Sequence, residues 1–208
     1  MRLLSLFAVL LTSISVARAD TPSVVFDDEH YALAFEDQAT LPDGEAGDAI
    51  AEFTLPGENV DNWSKLFAFH AYPEMGDDPL AAVETVGKVV KETNKDANYA
   101  IVTNDKTGEA IIDFLTWTPE SDVMEFNVFK YARSADGRGL VAMQYAQHIK
   151  LGEIDVEGMR ALRQRTVDDM ATEDITQAQD YFAKKRGRSA SNAPQNGEPA
   201  LARAGRDD

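Results

Sequence analysis

The middle of the chain alternates apolar and polar residues with the two-residue period of half-buried β-strands. Within residues 123–131, Met124, Phe126 and Val128 occupy alternate positions, with polar residues between them. Turn residues such as Pro, Gly, Asp and Asn separate six runs of this kind, which we predict to be strands. They span residues 49–55, 63–72, 99–103, 110–117, 123–131 and 140–149. Because the linkers between the last four runs are short, we expect antiparallel hairpins and not parallel crossovers.

Two other segments repeat apolar residues at steps of three and four, which predicts amphipathic helices. The first begins at residues 77–79, where Asp can cap free amides and Pro suits the first helical position. The second begins near Val156 and breaks near residues 172–174, and a short helix follows over 175–185. The resulting order, β-β-α-β-β-β-β-α, predicts an α+β fold in which two main helices pack on the apolar face of a twisted antiparallel sheet.

Residues 21–48 do not resolve into one interpretation. Residues 24–26 and 31–35 are apolar enough for short strands, whereas residues 41–45 contain the Pro-Asp-Gly sequence of a turn. The sequence therefore leaves open whether a strand precedes residue 49.

The first 19 residues have the three parts of a secretory signal peptide. Arg2 is followed by an apolar run over residues 3–11, and residues 17–19 form a small-x-small cleavage site. The run is much shorter than the ~20 residues of a membrane-spanning helix. We therefore predict cleavage before Asp20 and a location in the periplasm or outside the cell.

Cysteine is absent from the chain. Its absence excludes disulfides, thiolate metal sites, thiol catalysis and a lipid anchor at the cleavage site. We expect a free exported protein whose single α+β domain spans residues 20–185.

Residues 186–208 contain one Leu and no aromatic residue, Val, Ile or Met, so we predict a disordered tail. A basic cluster lies at the junction between the domain and this tail. Two interpretations of the cluster stay open. It is either an anchor on acidic lipid or an acidic partner, or a solvated helix end favoured by the helix dipole. The second is the simpler interpretation. The cluster consists of Lys184, Lys185, Arg186 and Arg188.

The 208 residues carry 20 Lys and Arg against 36 Asp and Glu, a net charge of −16. Removing Arg2 and Arg18 with the signal peptide leaves 18 basic residues, or a net charge of −18. A nucleic-acid-binding protein needs clustered Lys and Arg to neutralise phosphates. We therefore expect no nucleic acid as a partner.

No sequence motif of strong chemical specificity is present. The chain lacks a Gly-x-Gly-x-x-Gly or phosphate-binding loop, a His-Glu-x-x-His pair and a Gly-x-Ser-x-Gly elbow. No pair among its three histidines has metal-ligand spacing. We therefore assign no catalytic residue, no metal ligand and no cofactor.

Four residues are candidates for ligand binding, each with a simpler structural interpretation. His70 ends an aromatic strand, and His148 lies near a strand end on the face opposite the predicted core. Each could be a site residue or an ordinary strand histidine. Trp63 and Trp117 belong to an aromatic set that either packs the core or lines an apolar pocket. The other members of this set are Phe67, Phe69, Phe114 and Tyr99.

Residues 58–66, with Asn62-Trp63-Ser64, resemble the Asn-Trp-Thr/Ser strand of small exported proteobacterial proteins of unknown function. Residues 123–131 are similar to that family too, and the element order over residues 49–172 resembles the Mog1/PsbP/DcrB-like α/β sandwich. The resemblance implies a fold and a cell-envelope location. Because members of that fold are mostly binding or assembly accessories, it implies no catalytic residues.

These observations favour a soluble periplasmic accessory or binding protein without enzymatic activity, with a protein partner or a small apolar ligand. Two alternatives stay open. One is a small hydrolase-like enzyme that uses His70 with nearby carboxylates, and the other is a carrier of a small apolar ligand near Trp63 and Trp117.

Overall fold

The computed structural model describes residues 21–117 and 120–191, with side chains through residue 185. The predicted signal peptide, residues 1–19, and most of the predicted tail, residues 192–208, lie outside the described residues.

Within the described residues, eight strands form one antiparallel sheet with the order β1-β2-β3-β4-β8-β7-β6-β5, and three helices pack against it. The α+β class and the six predicted strands are confirmed. The predicted order was wrong in detail, because two strands precede them and the final helix is longer than expected. The elements are β1 Ser23–Phe26, β2 Glu29–Thr40, β3 Ala46–Thr54, β4 Lys65–Tyr72, α1 Pro79–Thr93, β5 Tyr99–Asn104, β6 Glu109–Trp117, β7 Val123–Arg133, β8 Leu140–Lys150, α2 Val156–Thr172 and α3 Thr176–Ser191.

The first hairpin explains why its strands carry a weak sequence signal. Asp27 and Asp28 both have positive φ, 49° and 59°, as in a two-residue hairpin turn with the twist of the strands. Most residues of β2 are exposed, and its register with β3 shifts between Leu33 and Phe35. An exposed and irregular strand lacks the apolar alternation that predicts strands.

Helices cover both faces of the sheet, which corrects the prediction of one apolar face. One face, here the α1 face, packs α1 against β5, β6 and β7, and the opposite face packs α2 and α3. On β8, Val141 and Met143 belong to the α2/α3 core, whereas Leu140 and Ala142 belong to the α1 core. The face of β8 that the sequence suggested was solvent-facing therefore contains a second apolar cluster.

The sheet curls so strongly that its first strand contacts the middle of the sheet. The ring centroids of Phe26 on β1 and Tyr145 on β8 lie 5.0 Å apart, although three strands separate β1 from β8. Phe26 also lies 5.2 Å from Phe67 on β4. Curling thus makes β1 part of the α2/α3 core.

Capping at both ends determines where α1 lies. The Asp78 carboxylate accepts hydrogen bonds from the amides of Leu80 and Ala81, as the sequence predicted. At the other end, the Asn94 amide donates to Val90 O at 2.9 Å, and Asn94 Oδ1 accepts from the Asp96 amide at 3.0 Å. This turn holds residues 94–96 above the ends of β6, β7 and β8.

Candidate functional site

A chain of hydrogen-bonded polar side chains crosses three strands on the α1 face of the sheet. Cross-strand register brings them together, because His70 pairs with Ala142, two residues from Gln144, and Glu125 pairs with His148, which aligns polar positions on one face. This polar chain contains both histidines that the sequence singled out. Its members are His70 on β4, Gln144 and His148 on β8, and Glu125 and Asn127 on β7.

The hydrogen bonds of this chain run in one direction. His70 Nε2 lies 2.9 Å from Gln144 Oε1, and Gln144 Nε2 donates to Asn127 Oδ1 at 2.9 Å. Asn127 Nδ2 then donates to Glu125 Oε1 at 2.8 Å. Because Gln144 Oε1 can only accept, the hydrogen of the His70 ring lies on Nε2. All donors therefore point toward the Glu125 carboxylate.

His70 is the buried end of the chain, with 8% of its surface exposed. Its ring stacks on Tyr72, with centroids 5.7 Å apart, and lies 5.8 Å from the Phe129 ring. Burial lowers the pKa of His70 to about 4, and the hydrogen bond with Gln144 opposes this shift only in part. His70 is therefore neutral near pH 7.

His148 is the accessible end of the chain. Its Nδ1 lies 2.9 Å from the Trp63 carbonyl oxygen, and its ring stacks on the Trp63 indole with centroids 3.7 Å apart. Its Nε2 lies 3.4 Å from Glu125 Oε2. About a third of each side chain is exposed, 35% for His148 and 37% for Glu125.

Glu125 and His148 lie in an open cleft with a volume of about 930 Å³. The end of α1 and the turn after it form one wall, which carries Glu92, Lys95 and Asp96. The ends of β6, β7 and β8 form the other side. The cleft is thus the place where the polar chain reaches solvent.

The two candidate tryptophans lie in different surroundings. Trp63 packs on His148, whereas Trp117 borders the cleft at the end of β6. Trp117 pairs with Met124, so strand alternation directs its side chain to the α2/α3 face. Among the described residues the two indoles form no ring contact with each other. The structure brings Trp63 against His148, connects His70 to them only through the polar chain, and does not combine both tryptophans in one aromatic pocket.

Three of the four remaining aromatic residues of the predicted set pack in the two cores, whereas Tyr99 is 36% exposed. Phe67 and Phe69 pack in the α2/α3 core, whereas Phe114 packs in the α1 core. Packing accounts for these three side chains, as the simpler interpretation of the sequence held.

Glu125, Asn127 and Gln144 were not singled out from the sequence. Alternation placed Glu125 and Asn127 on the polar face of their strand, and placed Gln144 on the face of His148. The signal for a site was the occurrence of polar residues on the same face of consecutive strands. Only the register shows that their side chains meet.

A second cleft, of about 710 Å³, lies between the first hairpin and α3. It contains the first two residues of the basic cluster. Lys184 Nζ lies 4.0 Å from Asp180, and Lys185 Nζ lies 3.3 Å from Glu36. Since each lysine pairs with a carboxylate, this surface offers little net positive charge for an anionic ligand.

Two features are absent from the part of the chain that the structure describes. In it, no three or more His, Asp or Glu side chains are grouped so that they could hold a metal ion. None of the helices in residues 21–117 and 120–191 has the length and apolar character needed to cross a membrane.

A protein-family model matches residues 19–179 of the chain. The match includes all eight strands, α1, α2 and the residues of the polar chain. A comparison with curated proteins finds no match.

Proposed function

Because the chain belongs to the uncharacterised family whose model spans residues 19–179, we propose a function from its own geometry: an exported, non-enzymatic binding protein. Its ligand site is the cleft that contains Glu125 and His148. The single observation that carries this proposal is the polar chain, which places two oriented hydrogen-bonding groups at an accessible cleft. Pockets with a few fixed polar groups are the usual form of small-molecule sites.

The surroundings of both histidines favour binding over hydrolysis. His70 is buried and hydrogen-bonds Gln144, whereas the alternative enzyme would need a carboxylate beside it. Within the described residues, neither histidine hydrogen-bonds a Ser or Thr hydroxyl. Ser121 borders the cleft, but its hydroxyl donates to Val123 O at 3.2 Å. A nucleophile activated by a histidine is therefore not assembled in this geometry.

The apolar-carrier alternative has weaker support. Its two tryptophans face different environments, and the aromatic side chains near them fill the two cores. The accessible cleft is lined largely by charged and hydroxyl side chains, together with Val90, Trp117 and Val123. A ligand of this site would therefore have to form polar contacts.

Export is the part of the proposal that rests on the sequence. Residues 1–19 have the pattern of a cleavable signal, and the family match begins at residue 19, beside the predicted cleavage site. The resemblance to small exported proteobacterial proteins and to the Mog1/PsbP/DcrB-like sandwich agrees with a binding accessory in the cell envelope.

The test is native mass spectrometry of the full chain, expressed in its own host and recovered from the envelope fraction. We expect a mature chain that begins at Asp20 and carries a bound small molecule. The bound mass should be lost in Glu125→Gln and His148→Gln, and kept in Glu84→Gln, which removes the same charge from an exposed position on α1. A bound mass that persists in both cleft variants contradicts the site. Hydrolase turnover that disappears in His148→Gln contradicts a non-enzymatic role.

A further inference from the structure

The cleft presents two hydrogen-bond acceptors side by side. In the neutral form of the His148 ring the hydrogen lies on Nδ1, because the Trp63 carbonyl can only accept, and Nε2 carries a lone pair. This nitrogen faces Glu125 Oε2, which is also an acceptor, at 3.4 Å. With the ring in this form, one donor group placed between the two atoms would bond both of them.

Contacts with neighbouring residues hold both acceptors in place. Trp63 fixes the His148 ring by a hydrogen bond to Nδ1 and by stacking, and Asn127 Nδ2 fixes Glu125 Oε1 at 2.8 Å. Since Asn127 is in turn held by Gln144, neither group can rotate away without breaking the chain. The pair is thus preorganised, which lowers the entropic cost of binding a ligand.

The charge around the pair favours a cation. The cleft lining carries Glu92, Asp96 and Glu125 against Lys95 as the single Lys or Arg among its described residues. The whole chain has a net charge of −16, and a strongly acidic protein attracts cations to its clefts. A metal ion is a poor candidate, because no three potential ligands converge in the described residues. The remaining cations are organic.

We propose that this cleft binds a small organic cation whose ammonium or guanidinium N–H groups bridge Glu125 Oε2 and His148 Nε2. This inference rests on the binding function proposed above and specifies its ligand class. The positive charge compensates the carboxylate, and the N–H groups satisfy both acceptors. Val90 and Val123 border the same cleft and offer apolar contact to a short aliphatic body.

The experiment is a titration of the full chain with n-butylammonium, 1,4-diaminobutane and n-butylguanidinium, followed by NMR and calorimetry. Butanol and butyrate serve as probes that lack the cation. We expect the three cations to shift the signals of Glu125 and His148, and the two controls to leave them unchanged. Binding should weaken about tenfold or more in Glu125→Gln, because the hydrogen bond between the charged carboxylate and the cation is lost. Glu84→Gln should bind as the parent chain does.

Several results would overturn the inference. The inference is overturned if butanol or butyrate binds as well as the three cations do. It is also overturned if Glu125→Gln and Glu84→Gln lose equal affinity for the cations. Nitrogen NMR spectra at pH 8 with hydrogens on both His148 nitrogens would overturn it too, because the pair would then be an internal ion pair. Binding of a single-lysine peptide without binding of the free cations would point to a protein partner. If native mass spectrometry finds a neutral molecule in the cleft, the organic-cation inference is wrong but the binding function stands. If the cleft is empty in the mass spectrometry and in the titration, the binding function is contradicted as well.

Discussion

His70 is buried, and its hydrogen bond with Gln144 requires the hydrogen of the ring to lie on Nε2. Its Nε2 donates to Gln144, and the rings of Tyr72 and Phe129 pack on it. A second proton would place an unpaired charge in an apolar environment, which explains the pKa of about 4. At the scale of single residues, His70 therefore anchors the polar chain as a neutral donor.

This burial makes the stability of the protein depend on pH. The unfolded chain takes up a proton at His70 near pH 6.5, whereas the folded chain resists it until about pH 4. The stability that the folded protein has with an uncharged His70 is fully present above pH 6.5 and is lost as the pH falls toward 4. Between pH 7 and pH 5 the loss in free energy of unfolding should be about 2 kcal/mol, measured by urea denaturation.

The control for this prediction is a neutral replacement. In His70→Gln the difference in stability between pH 7 and pH 5 should shrink by that amount, whereas replacement of the exposed His30 by Gln should leave it unchanged. Burial raises the pKa of Glu52 and Glu173, which opposes the acid loss equally in all three proteins. An unchanged pH dependence in His70→Gln would show that His70 is not the group responsible.

Lys130 connects β7 to the end of α2. Its side chain is almost fully buried and donates to the carbonyl oxygens of Ala171 at 3.2 Å and Glu173 at 2.7 Å. Its Nζ also lies 3.4 Å from Glu109 Oε2. A cation at a helix C-terminus satisfies free carbonyls and interacts favourably with the helix dipole. At the scale of elements, this lysine holds α2 on the sheet and determines where the turn to α3 lies.

Replacing Lys130 with Met should therefore lower the free energy of unfolding by about 2–4 kcal/mol, because buried acceptors lose their donor. Hydrogen exchange should increase at the end of α2 and the start of α3. The matched variant Lys88→Met removes the same charge from an exposed position on α1, and should change stability by no more than about 0.5 kcal/mol. Equal effects of the two substitutions would contradict a structural role for Lys130.

The curl of the sheet is a property of the whole molecule. It brings Phe26 against Phe67 and Tyr145, and brings Lys65 within 2.5 Å of Glu29 on β2. The first hairpin, whose second strand β2 is mostly exposed, is thereby attached to the α2/α3 core. Its stability comes from these distant contacts more than from its local sequence.

Removing the Phe26 ring tests this attachment. Phe26→Ala should destabilise the protein by about 3–5 kcal/mol, because it leaves a cavity among large aromatic side chains. Val25→Ala on the same strand should cost at most about 0.5 kcal/mol, since Val25 is 52% exposed and Phe26 is 1% exposed. Thermal unfolding and hydrogen exchange of residues 23–40 would measure both effects. A small loss in Phe26→Ala would mean that β1 is not part of the core.

The candidate site could be predicted only in part. His70 and His148 stand out because histidines are rare in this chain and both lie near strand ends. The amides of Asn127 and Gln144 carry no such signal, since polar residues at alternate strand positions are ordinary. Their connection depends on which residues of β7 and β8 lie opposite each other, and Trp63 reaches His148 only because β4 pairs with β8.

The sequence by itself determined the features that depend on neighbouring residues: strand alternation, the Asp78 cap of α1, the turns and the acidic charge. These follow from local sterics and hydrogen bonds, which act over a few positions. The tertiary structure decided which strands pair, that helices cover both faces, and that the sheet curls until β1 contacts β8. Such contacts join residues far apart in sequence, and the burial they share is absent from any local pattern. The cleft of Glu125 and His148 belongs to this second group, because it exists only where β7, β8 and the end of α1 meet.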